Sequence, residues 1–135
     1  MPQDAKILVV DDSPLVLKVV SNILSAEGYK VETCGEIDQV SQLASKIRPH
    51  LILLDIMMPS KEGLDGFSLL NQLKENRATW EIPIIFLSGI AQWVQQTEEE
   101  LRKKVGAADF ISKPFDPANL VLRVKKLLKK GKGTT

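Results

Sequence analysis

Three carboxylates, a hydroxyl and an ammonium group follow four separate apolar runs in this sequence. They are Asp11 and Asp12, Asp55, Ser88 and Lys113. If each run is a strand of one parallel sheet, these side chains meet at one edge, because ligands bind beyond the carboxyl ends of such strands. Asp11, Asp12 and Ser88 would each alone be ordinary as a helix cap or a turn residue. Their joint occurrence after different strands favours a shared site.

The chemistry that this set can carry is phosphoryl transfer. Crowded carboxylates repel one another unless a cation lies between them. Mg²⁺ suits such a pocket because it takes hard oxygen ligands, usually one or two carboxylates together with waters and phosphate oxygens. Lys113 would add positive charge, one of the carboxylates could accept the phosphoryl group, and Ser88 could hydrogen-bond a phosphoryl oxygen.

Short apolar runs alternate with longer helical patterns, which predicts an α/β fold with a parallel sheet. Continuous apolar runs predict strands that are covered on both faces, whereas an alternating run predicts an edge strand. Only the second run alternates. The predicted strands are 7–10, 29–34, 51–54, 84–87 and 107–111.

Five helical patterns lie between and after these strands. The first follows Ser13 and Pro14, the second covers 37–47, and the third carries Phe67 and Leu70. The fourth begins near position 95, and the last begins near position 116. A chain of 135 residues supports one domain. We assign residues 5–130 to that domain and 131–135 to a tail or linker stub.

Composition excludes several classes of protein. The single cysteine, Cys34, cannot form an internal disulfide, and no apolar run approaches the roughly 18 residues of a membrane span. The start of the chain lacks the apolar stretch of a signal peptide, so we expect a cytoplasmic protein without membrane contact. Residues 101–135 hold 10 Lys and Arg against 2 Asp and Glu, which we interpret as a solvated helix face. Direct nucleic-acid binding is not expected.

Motifs throughout the chain resemble the receiver domain of two-component response regulators. They lie at positions 7–13, 53–59, 65–66, 87–89 and 113–115, and the resemblance covers residues 5–130. It implies a flavodoxin-like, doubly wound five-stranded sheet of order 2-1-3-4-5 with helices on both faces. It also implies a phosphorylation-controlled signalling domain that catalyses only its own phosphorylation and dephosphorylation, and so is not an enzyme with a separate substrate.

The same resemblance assigns the acceptor and the metal ligands. Asp55 is implied to be the phospho-acceptor. Asp12 would bind Mg²⁺ directly, Asp11 would bind it through water, and the backbone carbonyl of Met57 would be a further protein ligand.

The resemblance also implies a switch and its partners. Ser88 would be the switch hydroxyl, Lys113 the phosphate contact and Phe110 the switch aromatic, whose ring turns inward when Ser88 moves toward the phosphoryl group. A histidine kinase or phosphotransfer protein would donate that group. The face formed by the fourth helix, fifth strand and fifth helix would carry the output, and it is also a possible homodimer interface.

This sequence departs from the family pattern at three places. The loop at 59–66 carries three extra residues, Gly89 stands where alanine is common, and Phe110 has no hydroxyl. The first change alters the rim of the site, and the last restricts the switch to packing.

Three other functions are weighed against a receiver. A phosphatase of the haloacid-dehalogenase type would carry two acids separated by one residue after its first strand, whereas Asp11 and Asp12 are adjacent. A flavin-binding domain would not place acids where the phosphate must bind. A phosphorylation-independent interaction module would not need the full set of polar residues.

Overall fold

Five apolar runs form one parallel sheet in the computed structural model of the protein, which describes residues 5–55, 66–88, 108–112 and 115–133. At positions 66, 67, 88, 112 and 130–133 it describes the backbone alone. The strands are β1 (Lys6–Val10), β2 (Lys30–Cys34), β3 (Leu51–Leu54), β4 (Ile84–Ser88) and β5 (Asp109–Ser112).

The strand order is β2-β1-β3-β4-β5, and every neighbouring pair is parallel. This confirms the flavodoxin-like order. Successive strands are added on one side of β1 as far as β2 and then on its other side from β3 onward. The strand order therefore reverses between β1 and β3, and open α/β sheets bind their ligands at such a position. All four residues of β3 are fully buried, whereas three of the five residues of the edge strand β2 are exposed. The contrast between continuous and alternating runs therefore correctly predicted β3 as a central strand and β2 as an edge strand, but it did not identify β5 as the other edge.

The sheet separates two apolar layers, because successive residues of a strand point to opposite faces. One layer joins Leu8, Ile52 and Phe86 to the helices on one side. The other joins Val9, Leu53 and Ile85 to the helices on the opposite side. Both faces of the central strands are thus covered, as their sequences predict.

Helices α1 (Pro14–Ala26), α2 (Val40–Ile47) and α3 (Gly66–Glu75) and a C-terminal helix (Pro117–Gly133) cover the sheet. Helix α1 is capped as predicted: Ser13 is the N-cap, its Oγ accepts from the Val16 N–H at 3.3 Å, and Pro14 occupies the first turn. Helix α1 packs in the layer of Val9 with the C-terminal helix, and α2 and α3 pack in the layer of Leu8.

Two predicted helices differ from those observed. The first three residues of the second pattern, Ile37–Gln39, form a 3₁₀ turn before α2 begins, an arrangement that is common at helix starts. The C-terminal helix continues to Gly133, although residues 131–135 were expected to form a tail. Buried Leu120 and Val124 anchor this helix on the sheet.

Two further predicted elements, the fifth strand and the fourth helix, lie partly or wholly outside the described residues. Strand β5 begins at Asp109 rather than at position 107, and position 107 itself is not described. The fourth predicted helix also lies outside the described residues. Within the part of the chain that the structure describes, no helix is long and apolar enough to cross a membrane.

His50 joins the starts of β1 and β3 at the edge of the sheet opposite the carboxyl ends. Its backbone N–H donates to the Lys6 carbonyl at 2.8 Å, and its Nδ1 accepts from the Lys6 N–H at 3.0 Å. His50 therefore makes two hydrogen bonds with Lys6, one through its backbone and one through its side chain. This agrees with a structural role for the only histidine in the chain.

We expect His50→Ala to lower the free energy of unfolding by about 1 kcal/mol, because the Lys6 N–H loses its acceptor. His50→Asn should lose less, since the amide oxygen of asparagine can stand where Nδ1 stands. Urea denaturation of the two variants and the wild type measures the difference. Equal losses in both variants would show that the imidazole acceptor contributes nothing to stability.

Candidate functional site

Asp11 and Asp12 lie where β1 ends and the chain turns into α1. The Asp11 N–H donates to the Cys34 carbonyl at 3.2 Å, which extends the pairing with β2 by one step. Its Oδ1 accepts from the Ser13 N–H at 3.0 Å and so closes the turn that leads into the helix. Asp11 is buried, whereas Asp12 is exposed. Both acids precede the N-terminus of α1, where the helix dipole favours negative charge.

Asp55 is the first residue after β3. Its N–H donates to the Val10 carbonyl at 3.0 Å, so the backbone of β1 holds it one step beyond the end of the strand. The residue is 5% exposed. The β1–β3 pairing therefore places this carboxyl beside the turn that carries Asp11 and Asp12.

The three carboxyl groups form a single cluster. Each offers one oxygen, and these oxygens all lie within 4.8 Å of one another. The strand ends thus bring together the three acids as predicted. Their charges repel at this separation, and a divalent cation would relieve the repulsion. The donor set consists of hard carboxylate oxygens, partly buried and partly open to water, and it fits Mg²⁺.

The remaining predicted site residues are described in part or not at all. Ser88 is the last residue of β4 and lies opposite Ser112 in the register with β5. Its backbone is therefore at the carboxyl edge of the sheet. Met57, Lys113, Gly89 and positions 59–65 of the loop lie outside the described residues, whereas Gly66 begins α3.

Phe110 is buried in the second position of β5, with 1% of its surface exposed. Its ring meets the ring of Phe86 edge to face, with the centroids 6.3 Å apart and an angle of 74° between the planes. Both rings belong to the apolar layer of α2 and α3. The ring therefore already lies in the inward position that the switch hypothesis assigns to the phosphorylated form.

Cys34 is the last residue of β2, and its carbonyl accepts the hydrogen bond from the Asp11 N–H. It is 6% exposed, and its thiol donates to the Glu36 carbonyl at 3.2 Å. Burial raises the pKa of the thiol. A thiol held protonated by its surroundings is a poor nucleophile, so Cys34 is a small packed residue rather than a reactive one.

Sequence reasoning missed Arg123 in the C-terminal helix. Its Nη1 donates to the Phe110 carbonyl at 2.8 Å and lies 3.2 Å from Asp109 Oδ1. The available signal was its position: Arg123 stands next to buried Val124 and three residues after buried Leu120, on the border of the apolar stripe. A charged residue there can reach the sheet while its neighbours pack.

The family model, the curated relatives and the solved structures that resemble this chain all indicate the same protein family. The sequence model described as "Response regulator receiver domain" matches residues 7–125. Among curated proteins, the chain is 33% identical over 125 residues to the DNA-binding dual master transcriptional regulator RpaA of Synechocystis, covering 93% of this chain and 49% of that protein. The chain therefore spans about half the length of this relative.

Two solved structures illustrate the similarity of fold. A response regulator from Desulfuromonas acetoxidans is 37% identical, with a TM-score of 0.79 and coverage of 93% of this chain and 97% of that one. The receiver domain of the sensor histidine kinase PA1611 from Pseudomonas aeruginosa is 28% identical, with a TM-score of 0.79 and coverage of 93% and 98%. The latter structure has a magnesium ion coordinated in its active-site cleft.

Proposed function

This chain belongs to the response regulator receiver domain family, and from that premise we propose that it accepts a phosphoryl group on Asp55 in a Mg²⁺-dependent reaction. The observation that carries the proposal is the acidic cluster, in which Asp11, Asp12 and Asp55 each place an oxygen within 4.8 Å of the others. Such a cluster at the strand-order reversal suits a metal-assisted phosphoryl transfer.

The geometry favours Asp55 as the acceptor among the three acids. Asp11 is 1% exposed and its Oδ1 already accepts from the turn backbone, so it acts as a scaffold for the loop. Asp12 is exposed beside the start of α1 and suits a metal ligand. Asp55 retains slight exposure, and its backbone is held by the hydrogen bond to Val10 of β1. A carboxylate carried on a fixed backbone has less freedom to lose on reaching the attacking position.

The transfer exchanges one bond to phosphorus for another. A carboxylate oxygen of Asp55 attacks phosphorus and forms an acyl phosphate, while the bond from phosphorus to the donor breaks. With a phosphohistidine donor the leaving group is an imidazole. Lys113 is proposed to contact the phosphoryl oxygens and balance their charge.

Mg²⁺ is the proposed cofactor. Asp12 would hold it directly, Asp11 would hold it through water, and the Met57 carbonyl would complete the protein ligands. When bound, the ion neutralises charge on the carboxylates and on the transferred group. The magnesium in the PA1611 receiver domain supports this assignment by analogy.

We propose a histidine kinase or a phosphotransfer protein as the donor. Leu15 lies in the first turn of α1, two residues after the N-cap Ser13, and its side chain is 70% exposed. An exposed apolar side chain at the start of this helix is available for contact with a partner. A homodimer through the fourth helix, fifth strand and fifth helix is a further proposal, as is a cytoplasmic location.

Nucleic-acid binding is not proposed for this domain. RpaA is described as DNA-binding, but the chain corresponds to about half of it. On the C-terminal helix, the Lys125 Nζ lies 2.7 Å from Glu27 Oε1, so this lysine of the basic face is paired within the fold. The domain is likewise proposed to act on itself alone rather than on a separate substrate.

The direct test of the proposed function uses acetyl phosphate as a small phosphodonor. Incubation with Mg²⁺ should add one phosphoryl group per chain, measured by intact mass, and incubation with a chelator should add none. A mass that does not change in Mg²⁺ would overturn the proposal.

Switching of the output face is proposed to follow phosphorylation. Ser88 would move toward the phosphoryl group, because a charge-assisted hydrogen bond is worth about 1.5–3 kcal/mol. Phe110 stays inward in the activated form, and residues 90–112 change their environment. Beryllofluoride, which stands in for the phosphoryl group, should therefore shift amide signals in residues 90–112, and Ser88→Ala should reduce those shifts. Changes confined to the surroundings of Asp55 would show that the output face lies elsewhere.

A further inference from the structure

We propose that Arg123 is a positioning residue that connects the β5 backbone at Phe110 to the C-terminal helix. The proposal rests on the proposed function, since it concerns how phosphorylation at Asp55 reaches a distant element. It assigns a role to a side chain that neither touches the acidic cluster nor belongs to the predicted switch pair.

The contacts of Arg123 surround the backbone of Phe110. One nitrogen, Nη1, donates to the Phe110 carbonyl at 2.8 Å and lies 3.2 Å from Asp109 Oδ1. The same carboxylate oxygen accepts from the Phe110 N–H at 2.8 Å. Both backbone polar groups of Phe110 are therefore bound to one ion pair. A change in the backbone at this position must move the ion pair or break one of its bonds.

Partial burial strengthens these contacts relative to a surface ion pair. The side chains of Arg123 and Asp109 are 28% and 19% exposed. Exposed ion pairs contribute little because water and salt screen them, whereas a charged donor on a half-buried carbonyl retains more of its strength. The connection between helix and strand is thus specific in geometry and resistant to screening.

The contact between Arg123 and Phe110 links two elements that pack in different apolar layers. The Phe110 ring packs in the layer of α2 and α3, but Leu120, Val124 and Leu128 of the C-terminal helix pack in the opposite layer. A shift of β5 at Phe110 therefore does not reach the helix through apolar contacts of the Phe110 ring. Arg123 joins the helix to the residue whose side chain lies on the other face of the sheet.

A single nitrogen makes both contacts, and this determines which substitution should preserve the connection. Lysine offers one charged donor at a similar reach, so Arg123→Lys should keep much of the coupling. Arg123→Met keeps the aliphatic length but has no donor, so it should lose the coupling while leaving the packing of the helix nearly unchanged. Lys126→Met, which removes another exposed cation from the same helix, is the matched control.

The test is amide and methyl NMR of the full chain with and without beryllofluoride and Mg²⁺. In the wild type we expect signals at Asp11 and Asp12 to shift, together with signals at Leu120, Leu122 and Val124. In Arg123→Met the helix shifts should fall to roughly half or less, while the shifts at the acidic cluster remain. Arg123→Lys and Lys126→Met should behave nearly as the wild type.

The outcomes separate this inference from the proposed function. Full helix shifts in Arg123→Met, or a wild-type response confined to the acidic cluster, would overturn the role of Arg123 and leave phosphorylation of Asp55 intact. No response anywhere in the wild type would overturn the proposed function and the inference with it. If Arg123→Met does not fold, Asp109→Ala removes the carboxylate partner from the strand side and should reduce the helix shifts in the same way. Unreduced helix shifts in that variant would also overturn the proposal.

Discussion

The Asp55→Asn variant is expected to carry no phosphoryl group after incubation with acetyl phosphate and Mg²⁺. Asparagine has the shape of aspartate, but its neutral amide oxygen is a far weaker nucleophile than a carboxylate. The Asp55 N–H bond to the Val10 carbonyl involves only the backbone, so the position of residue 55 should be kept. Loss of phosphorylation in this variant would therefore reflect chemistry rather than a distorted site.

The matched control for this experiment is Asp116→Asn. Asp116 is exposed at the start of the C-terminal helix, where its Oδ1 accepts from the Ala118 N–H at 3.2 Å. Asparagine caps a helix about as well as aspartate, so the fold should be preserved. Intact mass should show one phosphoryl group on the control and none on Asp55→Asn. One group on Asp55→Asn at the wild-type extent would mean that another residue is the acceptor.

The Asp12→Asn variant is expected to change stability in opposite directions with and without Mg²⁺. Without the ion, removing one of three mutually repelling charges should raise the free energy of unfolding by about 1 kcal/mol, the size of one such pair in water. With the ion, the variant should lose affinity for Mg²⁺ by about tenfold or more, because the carboxylate proposed as the direct ligand is replaced by a neutral amide. The wild type should gain stability from Mg²⁺ by mass action, and the variant should gain little.

Calorimetry measures both effects on the same samples. Thermal unfolding with a chelator should give a higher melting temperature for Asp12→Asn than for the wild type, and titration with Mg²⁺ should give weaker binding. Asp116→Asn again serves as the control, since its carboxyl group lies outside the cluster. An unchanged affinity for Mg²⁺ in Asp12→Asn would place the ion elsewhere.

Much of the fold follows from patterns that are local in the sequence. Continuous apolar runs identify β1 and β3 because both faces of a central strand are covered, and the alternating run identifies β2 as an edge. The end of the C-terminal helix was not predicted, because glycine normally disfavours a helix by about 1 kcal/mol. In the structure the helix nevertheless continues through Gly131 to Gly133.

The site could be predicted as a set of residues but not as a network of contacts. Strand ends determine that Asp11, Asp12 and Asp55 share an edge, and the structure places their oxygens within 4.8 Å of one another. The role of Arg123 depends on how far a long side chain reaches from one element to another. Helical periodicity describes which face a residue occupies, and it carries no information about such a reach.

Successive side chains of each strand alternate between the two apolar layers, and this alternation restricts which insertions and deletions the chain can accept. Adding or removing one residue within β1 would send every following side chain of the strand to the opposite layer, and it would move Asp11 by about 3.3 Å relative to Asp55. The same change would therefore disrupt packing and separate Asp55 from its neighbouring acids. Length variation should instead collect in the connections between elements, where the segment at 59–66 already carries three extra residues. We therefore expect strand lengths to stay constant among related sequences of this fold, while loop lengths vary.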